Sequence, residues 1–205
     1  IIWLIGELGA YWWIYAWAAT VAFGIFVQFI APTVIAPLFN KFTPLEDAAL
    51  KARIEALLTR CGFASSGLFV MDGSKRSAHG NAYFTGFGRA KRIVFFDTLL
   101  ARLDADEIEA VLAHELGHFK LKHVLKRMLW MAAFSLAFLA LLAWLAASRW
   151  FYEGLGVPPA PDRPGVALLL FVLALPVFTF VLAPLASLYS RRHEFEADRF
   201  AARNA

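Results

Sequence analysis

The sequence predicts a mainly α-helical integral membrane bundle with a small β-sheet outside the membrane. Hydrophobic residues make up 60% of the 205 residues, against about 45–50% in soluble domains, and the mean hydropathy is +0.59. Residues 8–40, 128–148 and 166–190 carry no charge. Each stretch reaches the roughly 20 apolar residues that cross a bilayer as a helix. We therefore expect three transmembrane spans.

The segment between the first two spans predicts a helix and then a sheet. Its start, Thr43-Pro44-Leu45-Glu46, offers an N-cap, a proline at the first helical position and a capping glutamate. Apolar residues follow at helical spacing until Gly62, a residue typical of a helix end. Three β-prone runs, at 68–71, 82–85 and 93–96, then alternate with Gly, Asn, Ser and Lys. We expect them to form the small extramembrane sheet.

The pentapeptide His114-Glu115-Leu116-Gly117-His118 follows a capping box, Asp104-Ala105-Asp106-Glu107. Residues four apart share a helix face, so both imidazoles can bind one metal. The glutamate beside the first histidine can then polarise a metal-bound water. No Gly or Pro follows until Gly154, so we expect the helix to continue from about Ala105 into the second span. The pattern indicates an H-E-x-x-H zinc-protease core, and the alternative is two surface histidines.

We expect the third metal ligand to lie after the third span. A catalytic zinc usually has three protein ligands and a water, and the predicted membrane hairpin returns the chain to the side of the motif. Glu194 and Glu196 both qualify by chemistry. Glu194 is favoured because Asp198 lies four residues on, where it can orient a ligand. Glu196 and an ordinary charged helix end remain alternatives.

The other candidate side chains carry weaker signals. Cys61 is the only cysteine, which excludes an intrachain disulfide and a cysteine-based metal site. His123 lies about 140° around a regular helix from His118, so we expect it at the membrane interface. We expect His193 on the surface.

Charge predicts the orientation. Residues 41–127 hold 14 Lys/Arg against 10 Asp/Glu, and two arginines follow the third span. By the positive-inside rule this segment faces the cytoplasm. No nucleic-acid-binding motif is present. We expect four segments: residues 1–40 as the first span and its exit loop, 41–127 as the catalytic domain, 128–190 as a transmembrane hairpin, and 191–205 as the helix of the third ligand.

Four motifs together resemble the type I CAAX prenyl endopeptidase family of integral-membrane zinc proteases, which is related to the heat-shock membrane metalloproteases. They are Pro37-Leu38-Phe39-Asn40-Lys41-Phe42, Asn81-Ala82-Tyr83-Phe84-Thr85-Gly86, the pentapeptide at 114–118, and Arg191-Arg192-His193-Glu194-Phe195-Glu196-Ala197-Asp198. The resemblance implies one Zn²⁺ per chain, held by His114, His118 and Glu194. It makes Glu115 the general base and Asp198 a partner of a ligand histidine.

The resemblance also implies how substrate binds. Asn81-Ala82-Tyr83-Phe84 resembles the family's edge strand, which binds a peptide by strand addition, and Asn81 would hold the scissile carbonyl or its oxyanion. The expected substrate is a peptide or protein, prenylated or amphipathic, cut near its C-terminus. The alternatives are a quality-control protease of the heat-shock type and a non-catalytic, zinc-braced membrane protein.

The resemblance further implies an integral protein of a bacterial inner membrane or of the endoplasmic reticulum membrane. Family members have about seven spans and carry a further histidine beyond the third ligand. We therefore expect this chain, with three spans, to be a fragment that lacks part of the catalytic apparatus and is inactive by itself.

Overall fold

The computed structural model describes residues 2–75, 80–85, 92–159 and 163–205. It is mostly helical, as predicted. The helices are α1 Ile2–Glu7, α2 Trp12–Ile30, α3 Ala36–Phe39, α4 Ala48–Arg60, α5 Asp97–Leu100, α6 Ala105–Lys120, α7 His123–Ala146, α8 Arg149–Gly154 and α9 Pro164–Asn204. The strands are β1 Phe42–Pro44, β2 Leu68–Met71, β3 Ala82–Thr85 and β4 Arg92–Phe96. Two compact units result, one of Ile1–Phe26 with Leu125–Ser190 and one of Val27–Val124 with Arg191–Ala205.

Three helical segments in the described residues are long and apolar enough to cross a membrane: Gly9–Phe39, His123–Ala146 and Pro164–Asn204. By length and composition they coincide with the three predicted spans. The breaker-rich stretch at 31–37 does not stop the first of them, because a π-helical turn at Ala31–Ile35 leads directly into α3. A widened turn accommodates the ring and missing N–H of Pro32.

The core of the first unit is built from aromatic and aliphatic side chains. Its buried members are Trp12, Ala16, Leu142, Leu145, Phe151, Tyr152, Ala167 and Phe171. Trp17 Nε1 also donates a hydrogen bond to the carbonyl of Ala132, at 2.8 Å. Other large apolar side chains face outward, and Phe180 is 81% exposed. Helices with apolar side chains on outward faces are typical of a lipid-embedded structure.

The sheet lies in the second unit and has the strand order β1-β2-β4-β3. Strands β1 and β3 are antiparallel to their neighbours, and β2 is parallel to β4. The three β-prone runs are confirmed as β2, β3 and β4. On one side of the sheet, α4 and α6 close a core whose fully buried members include Ile54, Leu57, Phe95, Leu112 and Leu116.

The helix start predicted at 43–46 is wrong. Thr43 and Pro44 pair with β2 as part of an edge strand, where a proline is tolerated because the missing N–H faces away from the ladder. The N-cap is Asp47, whose Oδ1 accepts hydrogen bonds from the N–H groups of Ala49 and Leu50, both at 3.0 Å. A better side-chain acceptor four residues later therefore sets the start of α4.

The helix predicted to run unbroken into the second span is also interrupted. Helix α6 ends at Lys120, and α7 begins at His123. Between them Lys122 adopts φ 57°, and its N–H donates to the carbonyl of Phe119 at 3.1 Å. Lysine rarely takes this left-handed conformation, so the sequence carried no signal for the break.

A buried carboxylate ties α6 to α4. Glu109 is 5% exposed and accepts hydrogen bonds from Arg53 and Arg60. Burial alone raises the pKa of Glu109, but the bonds from the two arginines outweigh it and hold the pKa below its usual range. The buried glutamate and its two exposed arginines therefore keep α6 in place against α4.

Candidate metal centre

Helix α6 presents the two histidines of the pentapeptide on a face away from its core. The capping box predicted for it is confirmed: Asp104 Oδ1 accepts from Glu107 N at 2.9 Å, and Glu107 Oε2 accepts from Asp104 N at 3.0 Å. Leu112 and Leu116 are fully buried in the core. Because side chains four apart share a face, the side chains of 114 and 118 form a separate row beside that buried row.

Three potential ligand atoms converge at this row. The Nε2 atoms of His114 and His118 lie 3.0 Å apart, and Glu194 Oε2 lies 3.4 and 3.5 Å from them. All three atoms fall within 4.8 Å of one another. Tetrahedral zinc with bonds of 2.0–2.2 Å holds its ligand atoms about 3.3 Å apart. The donor set and its spacing therefore fit one zinc ion.

The structure separates the two glutamates that the residues alone left as alternatives. Glu194 Oε2 faces both histidines of the pentapeptide. Glu196 turns to a different histidine, with Oε2 3.1 Å from Nε2 of His123. Residues two apart on a helix do not share a face, so only one of the two can reach the cluster.

Each histidine of the pentapeptide has a partner at its other ring nitrogen. His114 Nδ1 lies 2.8 Å from Asp198 Oδ1. His118 Nδ1 lies 2.9 Å from His123 Nδ1. A histidine that binds a metal through one nitrogen commonly donates the N–H of the other to such a group. The acid at 198 thus lies where an orienting partner is needed.

The surface position expected for His193 is wrong, and His123 does not keep its expected offset from His118, whereas its place at the membrane interface stays a prediction. His123 is 3% exposed and His193 is 8% exposed. Their rings stack with centroids 4.2 Å apart and an interplanar angle of 9°. His123 reaches His118 because the break at Lys122 removes the 140° offset of a regular helix. The spacing of His193 and Glu196, three residues apart, was the only sequence signal that both share one face.

The carboxyl of Glu115 lies in a half-buried position beside the cluster. Burial raises its pKa, the nearby charges of His118 and His114 lower it, and that of Glu194 raises it further, with a net upward shift. A carboxylate whose pKa is raised accepts a proton more readily than an ordinary glutamate. Its environment suits a general base.

Gly117 permits the approach of α9, a role that the sequence reasoning missed. A Cβ at this position would lie 3.0 Å from the Cα of Ala197, 3.1 Å from its carbonyl oxygen and 3.2 Å from the Cβ of Phe200. Ala197 lies three residues after Glu194, on the adjoining turn. The missing side chain lets α9 lie close enough for Glu194 to reach the histidines.

The predicted substrate strand lies at an edge of the sheet. In the ladder with β4, the carbonyl of Asn81 accepts from Phe96 N at 2.9 Å, and Tyr83 is opposite Val94. Alternation then directs the backbone groups of Ala82 and Phe84 to the other edge, where no further strand lies among the described residues. Asn81 is exposed, and its Oδ1 accepts from the N–H of Ala82 at 2.9 Å.

Side chains of the edge strand contact the helix that carries the pentapeptide. Ala82 is buried in the core shared with α6. Phe84 packs edge-on against Phe63, with ring centroids 5.2 Å apart, and lies 6.0 Å from the ring of Phe119, the residue after the pentapeptide. Tyr83 points to the opposite face, towards Met71. The last residue of the motif, Gly86, lies outside the described residues.

The chain matches the models of two known protein families. Residues 44–205 match the model described as peptidase family M48. Residues 1–41 match that described as CAAX prenyl protease N-terminal, five membrane helices. Together the two models cover almost all of the chain.

Curated relatives and a solved structure agree with these matches. The chain is 40% identical to the CAAX prenyl protease 1 homolog of Dictyostelium discoideum, over 98% of the chain and 47% of that protein. It is 40% identical to CAAX prenyl protease 1 of Saccharomyces cerevisiae, over 86% of the chain and 42% of that protein. The crystal structure of Ste24p from S. mikatae superposes with a TM-score of 0.82 at 35% identity, over 98% of this chain and 50% of that one.

The chain thus spans about half the length of the curated relatives it matches. The match covers the converging histidines and glutamate as well as the apolar helices. This chain belongs to peptidase family M48, and its residues 1–41 match the model of the N-terminal membrane region of CAAX prenyl proteases.

Proposed function

We propose that this chain carries the active site of a membrane-embedded zinc endopeptidase that cuts CAAX-type or amphipathic peptides near their C-terminus. One observation supports it most: Nε2 of His114, Nε2 of His118 and Oε2 of Glu194 meet at the spacing of zinc ligands, with Glu115 beside them. If the two histidines were ordinary surface residues, a glutamate from a distant helix would have no reason to meet them at this spacing.

The three residues His114, His118 and Glu194 would hold the zinc. Zinc in such a site lowers the pKa of water to about 7 and polarises a carbonyl. Glu115 takes the proton of the attacking water and passes it to the leaving amine. The raised pKa of its carboxyl favours the first transfer, the acceptance of the water proton. Asp198 accepts the Nδ1–H of His114 and fixes the direction of that ring.

Strand addition at β3 would place the substrate. A peptide pairing with the carbonyl of Ala82 and the backbone groups of Phe84 gains main-chain hydrogen bonds that do not depend on its side chains. Asn81 lies at the start of this edge, and its Oδ1 is bound to the N–H of Ala82. That bond directs Nδ2 away from the strand, and we assign Nδ2 the role of donor to the scissile carbonyl or its oxyanion.

The protein would sit in the inner membrane of a bacterium or the endoplasmic reticulum membrane of a eukaryote, with the second unit on the cytoplasmic side. Its partners would be the bilayer and a peptide or protein substrate, and no nucleic acid. The relatives are named as CAAX prenyl proteases, which supports a prenylated C-terminal peptide as the first substrate to test.

The test compares variants of the intact protein. Glu115→Gln should keep zinc and lose activity by a factor of about 10²–10⁴, whereas His114→Ala should lose both zinc and activity. Glu153→Gln, at an exposed position of helix α8, is the control. Zinc content is measured by metal analysis and activity by mass spectrometry of a farnesylated CAAX peptide. Activity retained by Glu115→Gln would refute the assignment.

Two alternatives have their own outcomes in the same experiment. A quality-control protease of the heat-shock type would cut an unfolded membrane protein faster than the farnesylated peptide. A zinc-braced structural protein would bind zinc through four side chains and cut neither substrate. The described residues supply only three ligand groups within reach of one another, which leaves a position for water and favours an enzyme.

A further inference from the structure

The two histidines of the pentapeptide are held in different ways. His114 contacts a carboxylate directly, through Nδ1 and Asp198 at 2.8 Å. His118 contacts another imidazole, that of His123, at 2.9 Å. His123 in turn reaches a carboxylate, that of Glu196, at 3.1 Å. His118 is thus linked to a carboxylate through one additional imidazole ring, whereas His114 contacts its carboxylate directly.

Only one arrangement of protons satisfies the longer chain when His118 binds a metal through Nε2. The neutral His118 ring then carries its proton on Nδ1 and donates it to Nδ1 of His123. His123 must carry its own proton on Nε2, where it donates to Glu196 Oε2. Every donor meets an acceptor, and the negative charge ends on the glutamate.

Neighbouring groups fix both later members of this chain. The ring of His193 stacks on that of His123, with centroids 4.2 Å apart, so the plane of His123 is set. Arg192 Nε donates to Glu196 Oε1 at 3.0 Å, so the carboxylate is held while its other oxygen accepts from His123. Both rings are buried, which keeps water from replacing these hydrogen bonds.

We propose that His123 and Glu196 are positioning residues for the metal site, holding His118 through a carboxylate–imidazole–imidazole chain where His114 is held by a single carboxylate. The proposal rests on the proposed function, since it treats His118 as a zinc ligand. The break at Lys122 is what makes it possible, because a continuous helix would carry His123 to another side.

The test measures metal binding by the intact protein, purified in detergent, with zinc and with cobalt. His123→Ala should weaken zinc binding by about 10–100-fold in a competition titration against a chelator and should change the visible spectrum of bound cobalt. His123→Asn keeps an acceptor near the position of Nδ1 and should restore most of the affinity. Glu196→Gln should give an intermediate loss, since it keeps an acceptor for His123 but removes the charge.

A matched control is available on α8. Glu153 accepts from Arg149 Nε at 2.7 Å with the same four-residue spacing as Glu196 and Arg192. It contacts no histidine among the described residues, so Glu153→Gln should leave zinc affinity unchanged. Parental zinc affinity and an unchanged cobalt spectrum in His123→Ala would overturn the proposal. The proposal would also be overturned if His123→Asn and His123→Ala lost the same zinc affinity and, without metal, the same melting temperature. Lost packing, rather than a lost hydrogen bond, would then explain the weaker zinc binding. A parent protein that binds no zinc would refute the proposed function itself.

Discussion

Gly117→Ala tests whether the close approach of α9 to α6 is needed to assemble the metal centre. The new Cβ would lie 3.0 Å from the Cα of Ala197 and 3.1 Å from its carbonyl oxygen. Ordinary contacts between carbon atoms are about 3.5–4.0 Å, so α9 must retreat by a few tenths of an ångström. Both clashing atoms belong to backbone, and no side-chain rotation relieves them.

The retreat should affect the metal site more than the fold. Overpacking costs about 1–3 kcal/mol, but replacing a helical glycine by alanine recovers about 1 kcal/mol, so the net loss of stability is about 0–2 kcal/mol. Ligand distances in a metal site tolerate only about 0.2 Å, and Glu194 moves with Ala197. We therefore expect zinc affinity to fall at least about tenfold, or ~1.4 kcal/mol.

The assay pairs a zinc–chelator competition titration with thermal unfolding of the metal-free protein. Gly154→Ala is the control, because nothing lies within 4 Å of its new Cβ. If Gly117→Ala binds zinc with the parental affinity, the glycine is not what allows Glu194 to reach the histidines.

Three further changes address the fold around the site. Glu109→Gln should lower the free energy of unfolding by about 1–2 kcal/mol at pH 7. Since the pKa of Glu109 is lowered in the folded state, the parent should lose this extra stability as the pH falls below about 4.3. Stability curves of parent and variant that stay parallel over this pH range would contradict the effect. Lys122→Gly should raise the melting temperature, by relieving about 0.5–1 kcal/mol of strain at φ 57°; a lower melting temperature would show that the lysine side chain stabilises the turn. Asp104→Ala should cost about 1 kcal/mol by removing the cap of α6, measured by circular dichroism during thermal unfolding, and an unchanged midpoint would show that the cap contributes nothing.

Features with a local signal could be predicted from the sequence. The β-prone runs at 68–71 and 82–85 match β2 and β3 residue for residue, because alternation and bounding turn residues are short-range properties. The capping box at Asp104 was predictable for the same reason. The convergence of Glu194 with the histidines was expected from the predicted hairpin and from chemistry.

Features that depend on distant residues could not be predicted. Strand β1 forms because β2 offers it a ladder, although Thr43-Pro44 has the local pattern of a helix start. His123 is buried because a left-handed lysine redirects the chain and because Glu196 and His193, about 70 residues later, surround it. The spacing of apolar residues predicts the faces of a regular helix, and it therefore gives no information about a break such as that at Lys122.

The wide separation of the ligands along the chain has a consequence for biosynthesis. His114 and Asp198, which touch in the folded protein, are 84 positions apart. At a synthesis rate of about 5–20 residues per second, the two histidines of α6 wait for roughly 4–17 s before α9 supplies the glutamate and its flanking acids. Under the proposed function, a nascent chain offers zinc only two ligands during that interval. If the proposal holds, proteolytic activity is therefore withheld until the residues up to Glu194 have left the ribosome.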